Sequence, residues 1–417
     1  MRIAIVGTGV AGLTCAHLLH PHHQVTVFEA APRPGGHAHT HDVEVGGRRV
    51  SVDTGFIVYN ERNYPVLTRL FAELGVETRP SDMGFSMSDE VAGVEWSGAS
   101  LGALFAQPRN ALRPGFWRML SDVARFNREA RALLEDGDDD LTLDEYLARG
   151  FSAEFRDWYL VPMGAAIWSA DPAVFAEFPA RALARFFFNH GLLGLGGRPQ
   201  WRTVLGGSRT YVERLLAPLA DRVRLAQSVE KVVRRARGVE VATDAGASET
   251  FDHVVVATHS DQALALLSDP TPAEREVLGA LRYRTNEAVL HTDQRLLPAR
   301  ARARASWNWH QGTRVAGPTL TYDLSRLQGL ATPEPLLLTL NRSDAVDPAR
   351  VIAEMRYDHP VFDGAALRAQ RRHREVSGVE GVSFTGAYWG YGFHEDGARS
   401  ALAVCETLGV TWPEARP

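Results

Sequence analysis

Residues 1–37 read MRIAIVGTGVAGLTCAHLLHPHHQVTVFEAAPRPGGH and carry the strongest structural signal in the chain. Residues 3–6 form a short apolar run rich in β-branched side chains, which is typical of a buried parallel strand. Residues 13–19 have a helical composition, and residues 24–28 make a second strand-like run that ends at Glu29. The pattern predicts a strand–helix–strand unit with Gly-x-Gly-x-x-Gly at its first turn.

The glycines of that turn predict a phosphate-binding loop. Gly7 permits the tight turn, Gly9 lets the backbone approach a pyrophosphate, and Gly12 allows close contact between helix and strand. The first N–H groups and the dipole of the helix then attract the anion. Glu29 follows Gly7 by 22 residues, where a carboxylate can accept hydrogen bonds from ribose hydroxyls. Together these features predict a dinucleotide site.

Composition and charge exclude several other classes of protein. The chain has 417 residues, 45% hydrophobic and 23% charged, so we expect a folded protein of two or three domains. The net charge of −5 argues against a nucleic-acid partner. Cys15 and Cys405 provide neither a disulfide framework nor a zinc pattern, and no other spacing predicts a metal site. The sequence shows no signal peptide and no long apolar run, so we expect a cytoplasmic protein.

The residues that follow Glu29 distinguish between dinucleotides. Residues 29–36 have the pattern Glu-x-x-x-Arg-x-Gly-Gly, which resembles an extension found in flavoproteins of the amine oxidase, phytoene desaturase and protoporphyrinogen oxidase superfamily. The resemblance implies that the dinucleotide is FAD. It also implies that Arg33, Gly35 and Gly36 contact the diphosphate.

Two later segments resemble the same superfamily. Residues 251–258 are a buried strand that ends in Ala-Thr, and residues 382–388 are a last strand followed by a helix. In this superfamily that helix directs its N-terminus at the flavin. On this resemblance the residues expected to contact FAD are Gly7, Gly9, Val10, Ala11, Gly12, Glu29, Ala30, Arg33, Gly35, Gly36, His37, Val229, Ala257, Thr258, Gly386, Gly392, Phe393 and His394.

The resemblance implies a mixed fold, α/β together with α+β. A Rossmann-type FAD-binding domain is expected to be discontinuous, built from residues 1–80, 205–260 and 380–417. Residues 81–204 and 261–379 are expected to form an inserted, amine-oxidase-like substrate lobe of mixed sheet and helices.

Aromatic residues of the lobe indicate an apolar substrate pocket over the flavin. Trp307 and Trp309 alternate with Asn308, so on a strand both indoles face the same way. The residues expected to line the pocket are Tyr59, Trp168, Trp307, Trp309, Tyr322 and Tyr388.

Two segments of the lobe allow more than one interpretation. Residues 116–126 have helical apolar spacing with arginines nearby, which fits a core helix or a basic helix on a membrane surface. Residues 181–202 mix phenylalanines with arginines, which fits a buried helix end or a lid over a lipid-accepting mouth. A peripheral contact with the inner membrane therefore remains an expectation.

Almost the full length resembles a bacterial family of NAD/FAD-binding proteins within the amine oxidase superfamily. The matching stretches include residues 35–37, 52–60, 162–169, 359–361 and 386–397. Members of this family include a flavin-dependent fatty-acid desaturase of furan fatty-acid biosynthesis. They tend to be encoded near methyltransferases that resemble cyclopropane-fatty-acid synthase, which implies a functional link to such an enzyme.

The family resemblance implies three functional hypotheses. The first is desaturation of a methyl-branched, unsaturated fatty acyl chain, free or in a phospholipid, by hydride transfer to flavin N5; Tyr59, His394 and Glu395 are the candidate proton acceptors. The second is oxidation of an amine. The third is isomerisation of a fatty acid without net redox change.

Departures from the superfamily pattern argue against a monoamine oxidase and imply non-covalent FAD. Amine oxidases of the superfamily typically hold a water near flavin N5 with a lysine of the substrate lobe, whereas Lys231 is the only lysine here. Gly386-Ala387 stands where many relatives have glycine followed by an acid. Cys405 lies within the final predicted helix, so no cysteine is placed for a covalent flavin link.

Overall fold

A computed structural model describes residues 1–136, 138–194, 196–312 and 319–412. Its strands are β1 (Arg2–Val6), β2 (Gln24–Phe28), β3 (Thr40–Val45), β4 (Arg48–Asp53), β5 (Tyr59–Asn60), β6 (Thr78–Pro80), β7 (Phe85–Asp89), β8 (Val94–Ser97), β9 (Trp201–Val204), β10 (Val223–Arg224), β11 (Val229–Arg234), β12 (Val239–Thr243), β13 (Ser248–Phe251), β14 (His253–Val256), β15 (Tyr283–His291), β16 (Trp307–Gln311), β17 (Leu320–Asp323), β18 (Leu337–Leu340), β19 (Val351–Pro360) and β20 (Val382–Phe384).

Its α-helices are α1 (Val10–Leu19), α2 (Pro65–Glu73), α3 (Leu101–Leu104), α4 (Pro114–Asp136), α5 (Leu143–Leu147), α6 (Ala153–Phe155), α7 (Val161–Trp168), α8 (Pro172–Phe175), α9 (Ala180–Asn189), α10 (Arg209–Leu216), α11 (Ser260–Leu266), α12 (Pro272–Gly279), α13 (Leu324–Gln328), α14 (Gly364–Gln370), α15 (His373–Val376) and α16 (His394–Thr407). A π-helical turn covers Arg156–Leu160, and 3-10 turns cover Pro108–Leu112, Ala217–Arg222, Gln294–Leu296, Ala301–Ala303, Ser343–Ala345, Pro348–Arg350 and Ala387–Trp389.

The predicted strand–helix–strand unit lies at the centre of a parallel sheet. Its five strands have the order β10-β2-β1-β14-β20. Ile3 and Ile5 of β1 are fully buried, as are the three valines of β14, because helices cover both faces of the sheet. The carboxyl ends of β1 and β14 therefore meet at one edge, where the chain turns into α1 and α11.

Helices α1 and α16 pack against each other on one face of this sheet. Both cysteines lie in this contact as free, buried thiols. A hydrogen bond to Cys405, followed by burial, raises the pKa of the Cys15 thiol. The two residues are distant in sequence, and the fold brings them together without a disulfide bond between them. The final five residues of the predicted segment 380–417 lie outside the described chain.

The opposite face of the sheet carries an antiparallel sheet of β11, β12 and β13 together with α11, α12 and α14. Ala263 of α11 and Leu278 of α12 are fully buried in a cluster with Val254 and Val382 of the parallel sheet. The stretch 261–379, predicted to belong to the substrate lobe, thus includes helices that pack on the nucleotide sheet.

The lobe is built around a mixed sheet with the strand order β19-β15-β18-β17-β16-β7-β8. Its pairs are antiparallel except β16 with β7, which run parallel. Helices α4 to α9 cover a second cluster rich in phenylalanine. The large apolar side chains of these two cores surround a cavity that opens toward the carboxyl edge of the parallel sheet.

Helix α4 turns its apolar face inward. Phe116, Met119 and Phe126 are buried in the lobe, and Arg118 and Arg125 form ion pairs with nearby glutamates on its outer side. The buried side of residues 116–126 is therefore that of a core helix. No helix within the described ranges is long and apolar enough to cross a membrane.

Candidate cofactor and substrate site

One cavity of about 1200 Å³ extends from the glycine turn after β1 into the lobe. The turn, the ends of β2 and β14 and the start of α16 line one part of it. Aromatic and aliphatic side chains of the lobe line the other part. The two halves predicted from the sequence, a dinucleotide cleft and an apolar pocket, are therefore continuous.

The glycine turn leaves a helix N-terminus open to this cavity. Gly9 precedes α1 without any side-chain cap and lines the cavity together with Val10 and Ala11. A Cβ atom on Gly12 would collide with the carbonyl oxygen of Gly7, whereas a Cβ atom on Gly9 would meet no atom within 4 Å. Gly12 therefore serves the packing of α1 on β1, and the space beside Gly9 suits a phosphate group.

Glu29 holds a carboxylate at the wall of the same cleft. It accepts the N–H of Thr8 at 3.0 Å, the N–H of Ala31 at 2.9 Å, and the Thr8 hydroxyl. The N–H groups of the helix can donate to a diphosphate. The fixed carboxylate can accept hydrogen bonds from the hydroxyls of a ribose. The residues present fit a dinucleotide.

Most residues expected to contact FAD line the cavity: Gly7, Gly9, Val10, Ala11, Glu29, Ala30, Gly36, His37, Val229, Ala257, Thr258, Gly386, Gly392, Phe393 and His394. Gly12, Arg33 and Gly35 do not. Arg33 donates to the carbonyl oxygens of Gly36 at 2.9 Å and Ala38 at 3.4 Å, so it braces the Gly-Gly turn. Gly35 adopts a φ of +109°, and its Cβ would lie 2.7 Å from the Ala38 oxygen, so its role is conformational.

His394 is the predicted catalytic residue that reaches the cavity. It is the first residue of α16, and its Nε2 lies 3.1 Å from the hydroxyl of Tyr211. Burial, and next the nearby His37, lower the pKa of His394 to about 3. The imidazole is therefore neutral at physiological pH.

The structure does not bring the other two candidate proton acceptors, Tyr59 and Glu395, to the cavity. The carboxylate of Glu395 accepts the backbone N–H groups of Val66 at 3.1 Å and Leu67 at 3.0 Å, and so caps α2. The hydroxyl of Tyr59 points to Thr78 at 3.3 Å within a buried cluster. Neither remains a candidate base, and Tyr59 is not part of the substrate pocket.

Aromatic side chains dominate the lobe part of the cavity. Of the predicted pocket residues, Trp168, Trp307, Tyr322 and Tyr388 line it. Trp309 shares the strand face of Trp307 but is buried deeper in the sheet core, and it does not line the cavity. Further lining residues, absent from the prediction, are Met83, Phe85, Trp96, Tyr159, Met163, Ile167, Phe186, His190, Leu192, Trp201, Leu338, Leu340, Phe362 and Tyr391.

Charged groups are scarce in this part. Among the described residues, Arg198 is the only lysine or arginine that lines the cavity, and no hydrogen bond or ion pair occupies its guanidinium. Its field lowers the pKa of the Tyr159 phenol, which burial raises to about 12, so the two groups are close. Gln200 next to it bonds to the carbonyl of Ser81 at 3.1 Å. Arg198 is exposed and thus marks the outer end of the apolar pocket.

His190 gives the pocket a basic nitrogen that the sequence did not reveal. Its Nδ1 lies 2.9 Å from the carbonyl oxygen of Phe186. A carbonyl only accepts, so Nδ1 carries the proton and Nε2 keeps its lone pair. Burial lowers the pKa of His190 to about 4. The sequence shows the aromatic run 186–188 just before His190. It does not show that the imidazole of His190 faces the cavity, because that depends on how the chain folds.

No three His, Cys, Asp or Glu side chains are grouped to hold a metal ion in the parts of the chain that are described. Neither cysteine lines the cavity, so neither is placed for a covalent bond to a cofactor there.

Comparison with known proteins identifies the family of the chain. The family of flavin-containing amine oxidoreductases matches residues 10–345. A relative from Mycobacterium tuberculosis, named as a flavin-containing monoamine oxidase, AofH, is 28% identical over 286 residues. The match spans 64% of this chain and 59% of that relative, so the chain corresponds to less than two thirds of the relative's length.

Several solved structures share the fold. A putrescine oxidase bound to putrescine superposes with a TM-score of 0.69 at 16% identity, over 98% of this chain and 99% of that one. A cyclohexylamine oxidase from Brevibacterium oxydans gives 0.68 at 19% identity over the same shares. A fatty acid isomerase from P. acnes that produces CLA gives 0.69 at 16% identity, again over 98% and 99%.

Proposed function

The chain belongs to the family of flavin-containing amine oxidoreductases, and from this premise we propose that it desaturates a methyl-branched, unsaturated fatty acid. The family and the shared fold confirm an FAD-dependent oxidoreductase with an amine-oxidase-like FAD-binding fold. The substrate class is the proposed part. It rests on one observation: within the described part of the chain, the lining of the apolar cavity contains one cation, Arg198, without a hydrogen-bond or ion-pair partner.

The charges in the cavity favour a carboxylate over an amine as the polar end of the substrate. Glu29, Asp82 and Asp358 are the acidic residues of the described lining. Glu29 lies in the nucleotide cleft, Asp358 lies beside His37, and Asp82 is exposed at the rim. An ammonium group among the aromatic side chains would therefore have no counter-ion, which is costly in an apolar site. A carboxylate at Arg198 would have one.

In the proposed reaction the protein orients the chain and excludes water. Arg198 holds the carboxylate, and the aromatic walls fix an allylic carbon of the chain beside the nucleotide cleft. Bound FAD supplies the acceptor for the hydride that this carbon loses. The substrate's double bond and methyl branch spread the positive charge, and the faces of Trp168, Tyr322 and Tyr391 can stabilise it.

His190 is the proposed proton acceptor. Its Nε2 keeps a lone pair because Nδ1 donates to a carbonyl. The proton lost from a carbon next to an allylic cation is strongly acidic, so a neutral imidazole of low basicity suffices. The organic product is a conjugated diene; when bound, FAD would take up the two electrons of the hydride and would pass them to a two-electron acceptor, dioxygen or a quinone. Methyl transfer to a double bond is one route to a mid-chain methyl branch, and in this proposal a methyltransferase supplies the substrate.

The test compares Arg198→Leu with Arg185→Leu. Arg185 is an exposed arginine of α9 outside this cavity, and it serves as the matched control. With a methyl-branched monounsaturated acid, we expect Arg198→Leu to raise KM about tenfold or more and Arg185→Leu to leave it unchanged. The methyl ester should reproduce the loss in the wild type. A phospholipid substrate that outperforms the acid would place the phosphate, rather than a carboxylate, at Arg198.

Mass spectrometry of the product decides the reaction type. Loss of two hydrogens from the acid supports desaturation. A shifted double bond with unchanged mass, and no consumption of dioxygen, would identify an isomerase and contradict the proposal.

A further inference from the structure

Three histidines from distant parts of the chain line the cavity together. The rings of His37 and His259 are 6.2 Å apart, and those of His37 and His359 are 5.7 Å apart, measured between centroids. All three line the cavity that also contains the glycine turn. None of them takes part in the reaction proposed above.

Backbone contacts bring the chain segments that carry two of these histidines close to the phosphate-binding turn. A Cβ atom on Gly36 would lie 3.1 Å from the Cα of Gly9, and His37 is the next residue. A Cβ atom on Gly7 would lie 2.9 Å from the carbonyl oxygen of Ala257, two residues before His259. The backbone at His37 and near His259 thus lies close to the turn whose N–H groups suit a diphosphate.

Hydrogen bonds to neighbouring asparagines determine which ring nitrogen of His359 carries the proton. The amide nitrogen of Asn341 donates to Oδ1 of Asn286 at 2.7 Å, which fixes the orientation of the Asn286 amide. Nδ2 of Asn286 then donates to Nδ1 of His359 at 2.8 Å. The proton of a neutral His359 therefore lies on Nε2, the nitrogen that Asn286 leaves unbonded.

Burial, more than the surrounding charges, keeps the cluster neutral when no anion is bound. Burial, and next His259, lower the pKa of His37 to about 4, and burial followed by His37 lowers that of His359 to about 3. Burial also lowers the pKa of His259. Arg33 also lowers the pKa of His37, whereas Asp358 raises it. Asp261 and Asp358 raise the pKa of His259.

We propose that His37, His259 and His359, beside the glycine turn, bind the FAD diphosphate in their protonated form. FAD binding then takes up at least one proton. The diphosphate carries two negative charges, and in a buried site these favour the charged form of a nearby imidazole. The glycine turn supplies backbone donors at any pH, whereas this cluster supplies positive charge only when it is protonated. FAD retention thereby becomes sensitive to pH.

The direction of that sensitivity follows from proton linkage. The cluster is neutral in the protein alone and protonated in the complex. Between the pKa values of the two states, the affinity falls as the pH rises, by about tenfold per pH unit for one proton. Above the pKa of the complex the affinity no longer changes.

The test measures FAD and riboflavin binding to the apoprotein from pH 5 to 8 by quenching of flavin fluorescence. We expect the Kd for FAD to rise at least fivefold over this range and the Kd for riboflavin, which has no phosphate, to stay constant. Calorimetry in buffers of different ionisation enthalpy should record uptake of about one proton per FAD. This measurement needs no variant, so a pH-independent Kd for FAD overturns the proposal even if the cluster is essential for folding.

Variants then assign the protons to the cluster. Replacing all three histidines with glutamine should flatten the pH dependence for FAD, and His22→Gln should leave it unchanged, because His22 is exposed between α1 and β2. A wild-type Kd for FAD that is independent of pH, with no proton uptake, would overturn the proposal. So would a folded triple variant that retains the full pH dependence.

Discussion

The imidazole of His394 lies flat against the phenyl ring of Phe56, with ring centroids 3.8 Å apart and planes inclined by 16°. Tyr211 bonds to its Nε2 at 3.1 Å. Burial raises the pKa of the Tyr211 phenol further above neutrality, and we assign the phenol as the donor. Nδ1 then carries the proton, so the first residue of α16 holds a neutral N–H group in the cavity beside the helix N-terminus.

We expect His394→Ala to bind FAD but to make the reduction potential of the bound flavin more negative. The variant loses a donor that stabilises negative charge on the reduced cofactor, so flavin reduction should slow about tenfold or more. Tyr211→Phe, which keeps the ring but not its partner, should give an intermediate effect. Dye equilibration measures the potential; a potential that matches the wild type in the FAD-loaded variant would remove His394 from this role.

Gly9→Val and Gly12→Ala should fail in different ways. A Cβ atom at Gly9 meets no protein atom within 4 Å, so we expect this variant to fold and to be colourless because its side chain occupies the phosphate space. A Cβ at Gly12 collides with the Gly7 carbonyl, so that variant should lose stability, by about 2 kcal/mol or more. Thermal unfolding and flavin absorbance separate the two outcomes. A yellow Gly9→Val protein would contradict the assignment of the turn.

Local pattern was enough to predict the nucleotide cleft. The glycine turn, Glu29 and the strand that ends at Ala257 are set by residues adjacent in sequence, and the cavity contains them all. Local pattern was not enough for Glu395, whose position next to His394 suggested a catalytic role. One residue along a helix turns the side chain by about 100°, so the carboxylate of Glu395 caps α2 instead. Trp309, His190 and the histidine cluster likewise depend on how distant strands and helices pack.

Glu395 should give a measurable pH dependence of stability. Burial raises its pKa to about 7, although the N–H groups of α2 partly oppose this. The unfolded carboxyl ionises near its ordinary value, so the stabilising effect is complete below that value and is lost as the pH rises through about 7. Relative to Glu395→Gln, the wild type should lose about 1 to 2 kcal/mol of unfolding free energy between pH 5 and pH 7.5.

Urea unfolding of both proteins at the two pH values measures this difference. Glu406→Gln, at an exposed position of the same helix, serves as the control and should follow the wild type. A Glu395→Gln protein whose stability tracks the wild type at both pH values would show that this carboxyl keeps its ordinary pKa.

His190→Asn tests the proposed proton acceptor. The asparagine amide can still donate to the Phe186 carbonyl, but the variant lacks the Nε2 lone pair. We expect kcat to fall about a hundredfold with little change in KM. The wild-type rate should also fall as the pH approaches about 4, where His190 becomes protonated, and this limb should vanish in the variant. An unchanged kcat would exclude His190 as the base.

Anaerobic mixing of the FAD-loaded protein with different substrate classes tests the central claim most directly. In separate stopped-flow runs, a methyl-branched monounsaturated fatty acid, putrescine and cyclohexylamine are added, and flavin absorbance is followed. The account predicts that the fatty acid bleaches the flavin and yields about one conjugated diene per flavin, while the amines leave it oxidised. Bleaching by an amine, with no response to the fatty acid, would contradict it.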